Sequence, residues 1–167
     1  LTNCLPPCVG KRVLDQQADK KNQTIALCMI VKNESKVITR AFDSVRDFVD
    51  YYCICDTGSS DGTQDTIKKY FKKYNLSGEV YDRPWVDFAH NRTQAFDLGK
   101  GKCDYIMTLD ADEVIAPLKD NRPLLNHKII SLPKFTAEKI DARTVYGSTI
   151  YSRTQFFKDG LDWKWKW

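Results

Sequence analysis

No run of roughly 18 apolar residues occurs in the 167-residue chain, so the sequence contains no candidate membrane-spanning helix. Two phosphate-binding signatures are also missing. There is no G-x-x-x-x-G-K-S/T, and the loop after the first apolar run reads VKNES where a dinucleotide-binding fold needs glycines. DTGSSDGT, starting at Asp56, fails as a calcium loop: its sixth position is Asp61 instead of glycine, and its twelfth is Ile67 instead of glutamate. Charge of one sign is scarce. The net charge is +4, and KKYFKK at 68–73 lies on a helical pattern as a solvated face, which argues against a nucleic-acid partner. No internal repeat or low-complexity segment interrupts the chain. It opens at Leu1 with neither methionine nor an apolar signal segment, and is expected to be part of something longer.

The six cysteines do not read as a disulfide framework. Cys28, Cys53 and Cys55 fall inside strand-like runs, where free cysteine behaves as a small apolar residue. Cys4 and Cys8 have a zinc-like spacing but no second pair to complete a tetrahedral site. N-x-S/T sequons occur at Asn22, Asn33, Asn75 and Asn91, and those at Asn33 and Asn91 fall among the candidate site residues. A reducing, cytoplasmic setting is expected on both counts.

What is present is an alternation. Residues 1–23 carry Pro6, Pro7 and a polar stretch, and read as a lead-in or linker. TIALCMIV (24–31) is a continuous apolar run, as in a strand buried on both faces. Val37, Ile38, Ala41, Val45 and Phe48 recur at helical steps over 34–49. YYCICD predicts the next strand. A helix over 61–74 follows, with Ile67, Tyr70, Phe71 and Tyr74 on one face, and then GEVYD as a short strand. FAHNRTQAFDLGKG predicts a helix ending at glycines in a left-handed cap. DYIMTLD closes the series. Such alternation with short connections means an α/β fold, a mostly parallel sheet with helices on both faces. Residues 24–116 form this half. Beyond 116 the pattern turns β-rich, and Trp163, Trp165 and Trp167 alternate as on one face of a strand.

Parallel sheets bind ligands beyond the carboxyl ends of their strands. Three loops there carry acids or amides: VKNES, CDTGSSDGT and LDADE. In the last, Asp110 and Asp112 point the same way from an extended chain and suit Mn²⁺ or Mg²⁺, which complete their shells with water and phosphate. A plainer alternative makes Asp112 a helix cap and Glu113 a first-turn acid. Asp56 can accept hydrogen bonds from a base or sugar, or simply brace a turn that Ser60 or Asp61 caps. Asn33 and Glu34 form a polar rim or an N-cap pair. Asn91 and Arg92 lie on a solvated helix face, or beside a diphosphate.

LCMIVKNES, DTGSSDGT, FAHNR and LDADEV, in that order and spacing, resemble family 2 glycosyltransferases with the GT-A fold. The resemblance implies a Rossmann-like nucleotide-sugar-binding domain that transfers a sugar from a donor, a UDP-sugar in the usual case, to an acceptor hydroxyl with inversion and metal dependence. Lys32, Asn33, Glu34, Asp56, Asn91, Arg92, Asp110 and Ala111 would then contact the donor. Asp112, with Asp110, would ligate the Mn²⁺ or Mg²⁺ that carries the diphosphate. In this family the general base and acceptor pocket belong to a later part, so 117–167 would be only the start of an acceptor side and the base would lie beyond Trp167. Neither His90 nor His127 matches the family's metal-binding histidine. Two other classes stay open: a non-catalytic binding or scaffold module of the same fold, and a phosphatase-like hydrolase.

Overall fold

The first apolar run is a strand, β1 (Ile25–Val31), and it takes the interior of the sheet because both of its faces are apolar. The computed structural model describes residues 23–119, 122–123, 132–146 and 148–165. Along β1, Ile25, Leu27, Met29 and Val31 join one core cluster while Cys28 joins another, as period-two alternation requires. The remaining elements are α1 (Ile38–Val45), β2 (Tyr51–Asp56), α2 (Thr63–Tyr74), β3 (Gly78–Asp82), α3 (Phe88–Gly99) and β4 (Tyr105–Thr108), then β5 (Leu118–Lys119), β6 (Arg122–Pro123), β7 (Lys139–Tyr146) and β8 (Thr149–Lys158).

The main sheet runs β3-β2-β1-β4-β8-β7. Strands β1 to β4 pair in parallel, β8 joins β4 antiparallel, and β7 completes a long hairpin with β8. The mixed α/β architecture with a mostly parallel first half and a β-rich end is therefore as expected. Helices cover both faces. Ile38, Ala41 and Phe42 of α1 and Ile67, Tyr70 and Phe71 of α2 pack with Leu27, Met29, Tyr52 and Ile54. Phe96 of α3 packs on the opposite face with Cys28, Cys53 and Ile106. Cys28, Cys53 and Cys55 are buried free thiols, and burial pushes the Cys55 thiol up to about 11.

Three local expectations are corrected. Helix α3 ends at Gly99, Lys100 is extended, and the left-handed residue is Gly101 (φ 72°). Residues 161–165 are not a strand. Trp163 instead folds back, donating from Nε1 to the Lys158 carbonyl (3.1 Å) and packing its ring on Phe157. No helix starts at the acids of LDADE, which removes the reading of Asp112 and Glu113 as a cap and a first-turn acid. Cys4, Cys8, Asn22, His127 and Trp167 lie outside the described residues. Beyond residue 116 the chain returns to the same sheet through β8. No described helix is long and apolar enough to cross a membrane.

Candidate active site

Strands β1, β2 and β4 end side by side, with Val31 in register with Asp56, so their following loops meet at one edge of the sheet. The first two loops are zipped together. Asn33, in the left-handed region (φ 57°), donates its N–H to Ser59 Oγ and accepts at Oδ1 from the Ser60 N–H, both at 2.8 Å. The Glu34 N–H donates to Thr63 Oγ1 (2.8 Å), and its carbonyl accepts from Val37 and Ile38 to start α1. Asp61 accepts at Oδ1 from the Thr63 hydroxyl and N–H, and at Oδ2 from the Ser35 N–H (3.0 Å).

Those donors hold the Asp61 carboxyl below the usual carboxylate range, Thr63 contributing most and Ser35 next. A depressed folded value stabilises the fold above about pH 4, where aspartates of the unfolded chain ionise. That contribution is lost as pH falls through the lower folded value. Asp61→Asn is therefore expected to lower Tm near neutral pH. The difference from the unsubstituted chain should vanish in acid, as thermal unfolding across a pH series would show.

The third loop is fastened from three directions. Arg40 of α1 donates to the Asp112 carbonyl (2.9 Å), and Ser44 Oγ accepts from the Ile115 N–H (3.0 Å). Arg92 of α3 pairs with Asp110 Oδ1 at 2.8 Å. Arg153 of β8 pairs with Glu113 Oε2 at 2.5 Å and approaches Asp110 Oδ2 at 3.5 Å. Glu113 Oε2 also accepts from the Asp110 N–H (3.2 Å). Sequence reasoning missed Arg153 because it lies some forty residues from the acids, on a strand whose register only the fold fixes.

Together the loops enclose a cleft of about 400 Å³. Lys32, Glu34 and Thr57 line one side, Arg92, Asp110, Ala111 and Asp112 another, and Trp85 and Phe88 a third. The two aromatic rings meet edge to face at 4.8 Å and remain 43% and 49% exposed. The Glu34 carboxyl is raised, first by burial and then by the charges of Asp112 and Asp61. Asp112 is exposed, and no hydrogen bond or ion pair engages its carboxylate among the described residues.

Not every expected residue reaches this cleft. Asn91 is fully buried: its Oδ1 accepts from the Val86 N–H (2.9 Å) and its Nδ2 donates to the Pro84 carbonyl (3.0 Å). These bonds brace the segment that carries Trp85. Asp56 is also fully buried, with Oδ1 accepting from the Gly58 and Ser59 N–H groups, while its solvent-shielded Oδ2 has no partner among the described residues. Asp110, expected as a shared ribose or metal contact, has both oxygens facing guanidinium groups.

A divalent cation implied by such loops has to fit these residues. Among the described residues no group of three or more His, Cys, Asp or Glu side chains could hold a metal ion. The open Asp112 carboxylate fits a mode in which one or two carboxylates share a hard cation with water and substrate phosphate.

Residues 26–127 match the family model described as glycosyl transferase family 2. The chain belongs to that family. An uncharacterised glycosyltransferase of Rickettsia conorii is 29% identical over 94 residues, which cover 56% of this chain and 30% of that protein. A TPR repeat-containing protein of Synechococcus elongatus is 36% identical over 90 residues, covering 53% of this chain and 20% of that one. The family 2 chain thus spans less than a third of the length of these relatives. Among solved structures, it is similar to a mannosyltransferase of Pyrobaculum calidifontis in complex with GDP-Man and Mn²⁺. The TM-score is 0.50 at 17% identity, covering 59% of this chain and 30% of that one, a likeness of fold.

Proposed function

We propose that this family 2 domain binds a nucleotide-sugar, a UDP-sugar as the resemblance implies, and serves its transfer to an acceptor hydroxyl with inversion. The observation that carries the reading is the Asp112 carboxylate, which no described residue engages, in a cleft where three strand-end loops meet. An exposed carboxylate at that position can share a divalent cation with water and the phosphates of a nucleotide-sugar. The Pyrobaculum protein of similar fold was solved with a nucleotide-sugar and Mn²⁺, which supports the same division of labour.

The geometry supports the following roles. Asp112 supplies a carboxylate ligand, and Asp110 aligns Arg92 and Arg153 in place of binding the cation itself. Lys32 and the remaining donors of Arg92 face the diphosphate, where planar guanidinium recognises phosphate oxygens. Asp56, whose Oδ2 has no partner among the described residues, would be the acceptor for a base or ribose. Trp85 and Phe88 give the cleft an apolar wall. The cation, when bound, stabilises charge developing on the diphosphate as the sugar leaves. The acceptor must lose a proton, and no described residue is assigned that task. The test is titration calorimetry of the chain with UDP in the presence and absence of Mn²⁺. Saturable heat that depends on Mn²⁺ is expected, and none at millimolar UDP would sink the reading.

A further inference from the structure

The arginine that lines the donor cleft from α3 is held on two sides. Its Nη2 pairs with Asp110 Oδ1 at 2.8 Å, and its guanidinium lies over the Trp165 indole, 5.3 Å from the ring centre. Trp165 reaches α3 from the segment after β8. Its backbone N–H donates to Thr93 Oγ1 (3.2 Å), one residue along from Arg92. Behind the indole stands a set of aromatic rings. Phe157 of β8 packs against Trp165 at 6.4 Å, Trp163 at 5.5 Å and Phe96 of α3 at 5.4 Å. The indole is thereby anchored to α3 directly and to the sheet through Phe157.

We propose that Trp165 is a positioning residue for the donor: its indole fixes the Arg92 guanidinium and leaves that group's remaining N–H donors to the diphosphate. The inference rests on the donor-binding reading of Arg92 given above. It adds a residue that does not itself line the donor cleft.

An arginine that binds phosphate has two conflicting needs. Its long side chain carries much rotamer freedom and must be held, yet every carboxylate that holds it spends N–H donors and offsets its charge. The two arginines at the LDADE loop divide on this point. Arg153 faces two carboxylates, Glu113 and Asp110, and its charge is spent within the loop. Arg92 meets Asp110 through a single nitrogen. An aromatic face supplies the missing constraint with no counter-charge, because a cation–π contact engages the guanidinium without consuming its donors. The charge of Arg92 is held in place and stays available to phosphate oxygens.

A Trp165 that merely covered α3 would support the fold and be indifferent to Arg92. The test is therefore a double-mutant cycle, read by calorimetry of UDP with Mn²⁺. Trp165→Leu keeps an apolar side chain but removes the π face. It should weaken UDP–Mn²⁺ binding about fivefold, the scale of one partly exposed cation–π contact. Trp165→Phe should recover most of that loss. In an Arg92→Ala background the same Trp165→Leu change should cost no more than about twofold, since nothing is left for the indole to position. Equal losses in both backgrounds would make Trp165 a structural support and overturn the proposal. A second readout needs no ligand. In heteronuclear NMR the Arg92 Nε–H signal should carry a ring-current shift that Trp165→Leu removes, and a signal left in place would also overturn the proposal. No UDP binding by the parent would instead bring down the donor reading, with the Nε–H comparison still deciding whether Trp165 holds Arg92.

Discussion

Asp112→Asn is expected to weaken the Mn²⁺-dependent part of UDP binding severely while leaving the melting temperature within about a degree of the parent. Asp112 is exposed and no described residue engages its carboxylate, so among the described residues neither core packing nor an ion pair is lost with its charge. Only its backbone carbonyl is engaged, by Arg40, and that contact survives the substitution. An amide keeps the shape and one weak oxygen donor but loses the charge that attracts a hard cation. The expected loss is on the order of a hundredfold in Mn²⁺-dependent affinity, the scale of removing one charged group from a preorganised electrostatic site. Calorimetry with and without the cation reads this directly. An unchanged Mn²⁺ dependence would take the metal away from Asp112.

Arg153→Ala is expected to damage both the loop and the binding. Its removal leaves Asp110 and Glu113 facing each other with one guanidinium fewer between them. These groups are partly exposed, so solvent screening holds the stability cost to about 1 kcal/mol. The larger consequence is positional. Freed of Arg153, Glu113 repels Asp110, and the segment carrying Asp112 loses its fastening to β8. UDP–Mn²⁺ affinity should fall about tenfold, a loss typical of residues that orient a metal ligand. Arg153→Lys restores the charge without the fork and should recover stability more than affinity. If Lys rescued both equally, charge alone would be the explanation. Amide exchange over residues 109–114 separates a loosened loop from a lost direct contact.

The parts of the fold that local chemistry dictates were legible residue by residue. The apolar run at 24–31 is β1, GEVYD is β3, and the helical periodicity around Ile67, Tyr70 and Phe71 is α2. Phe42, absent from the face predicted for α1, proved fully buried at the centre of an aromatic cluster with Tyr52, Tyr70 and Phe71. What sequence could not show was pairing at a distance. The antiparallel β8 enters beside β4 through tertiary register, and with it comes Arg153. The LDADE acids illustrate the same limit. Their spacing suits either a helix start or a ligand site, and only the arginines brought in by α1, α3 and β8 decide that they form a braced loop. Asn91 shows a related limit, since a polar residue beside an arginine gives no sign that its amide is spent on Pro84 and Val86.

The position of β1 at the middle of the sheet has a consequence for how the chain matures. Its partner β4 lies 80 residues away in sequence, tied at the outset by Thr24 donating to Asp104. Helices α1 and α2 and the pairing of β1 with β2 close over short spans and can form early, whereas docking β4 closes a much longer loop. On a ribosome, VKNES and DTGSSDGT can meet well before LDADE has been made, and Arg153 emerges later still. The cleft is thus the last part of the domain to become competent. A chain that stalls midway would carry the core of α1, α2 and the β1–β2 pair, without Tyr105, Ile106 and Met107, and half a binding site.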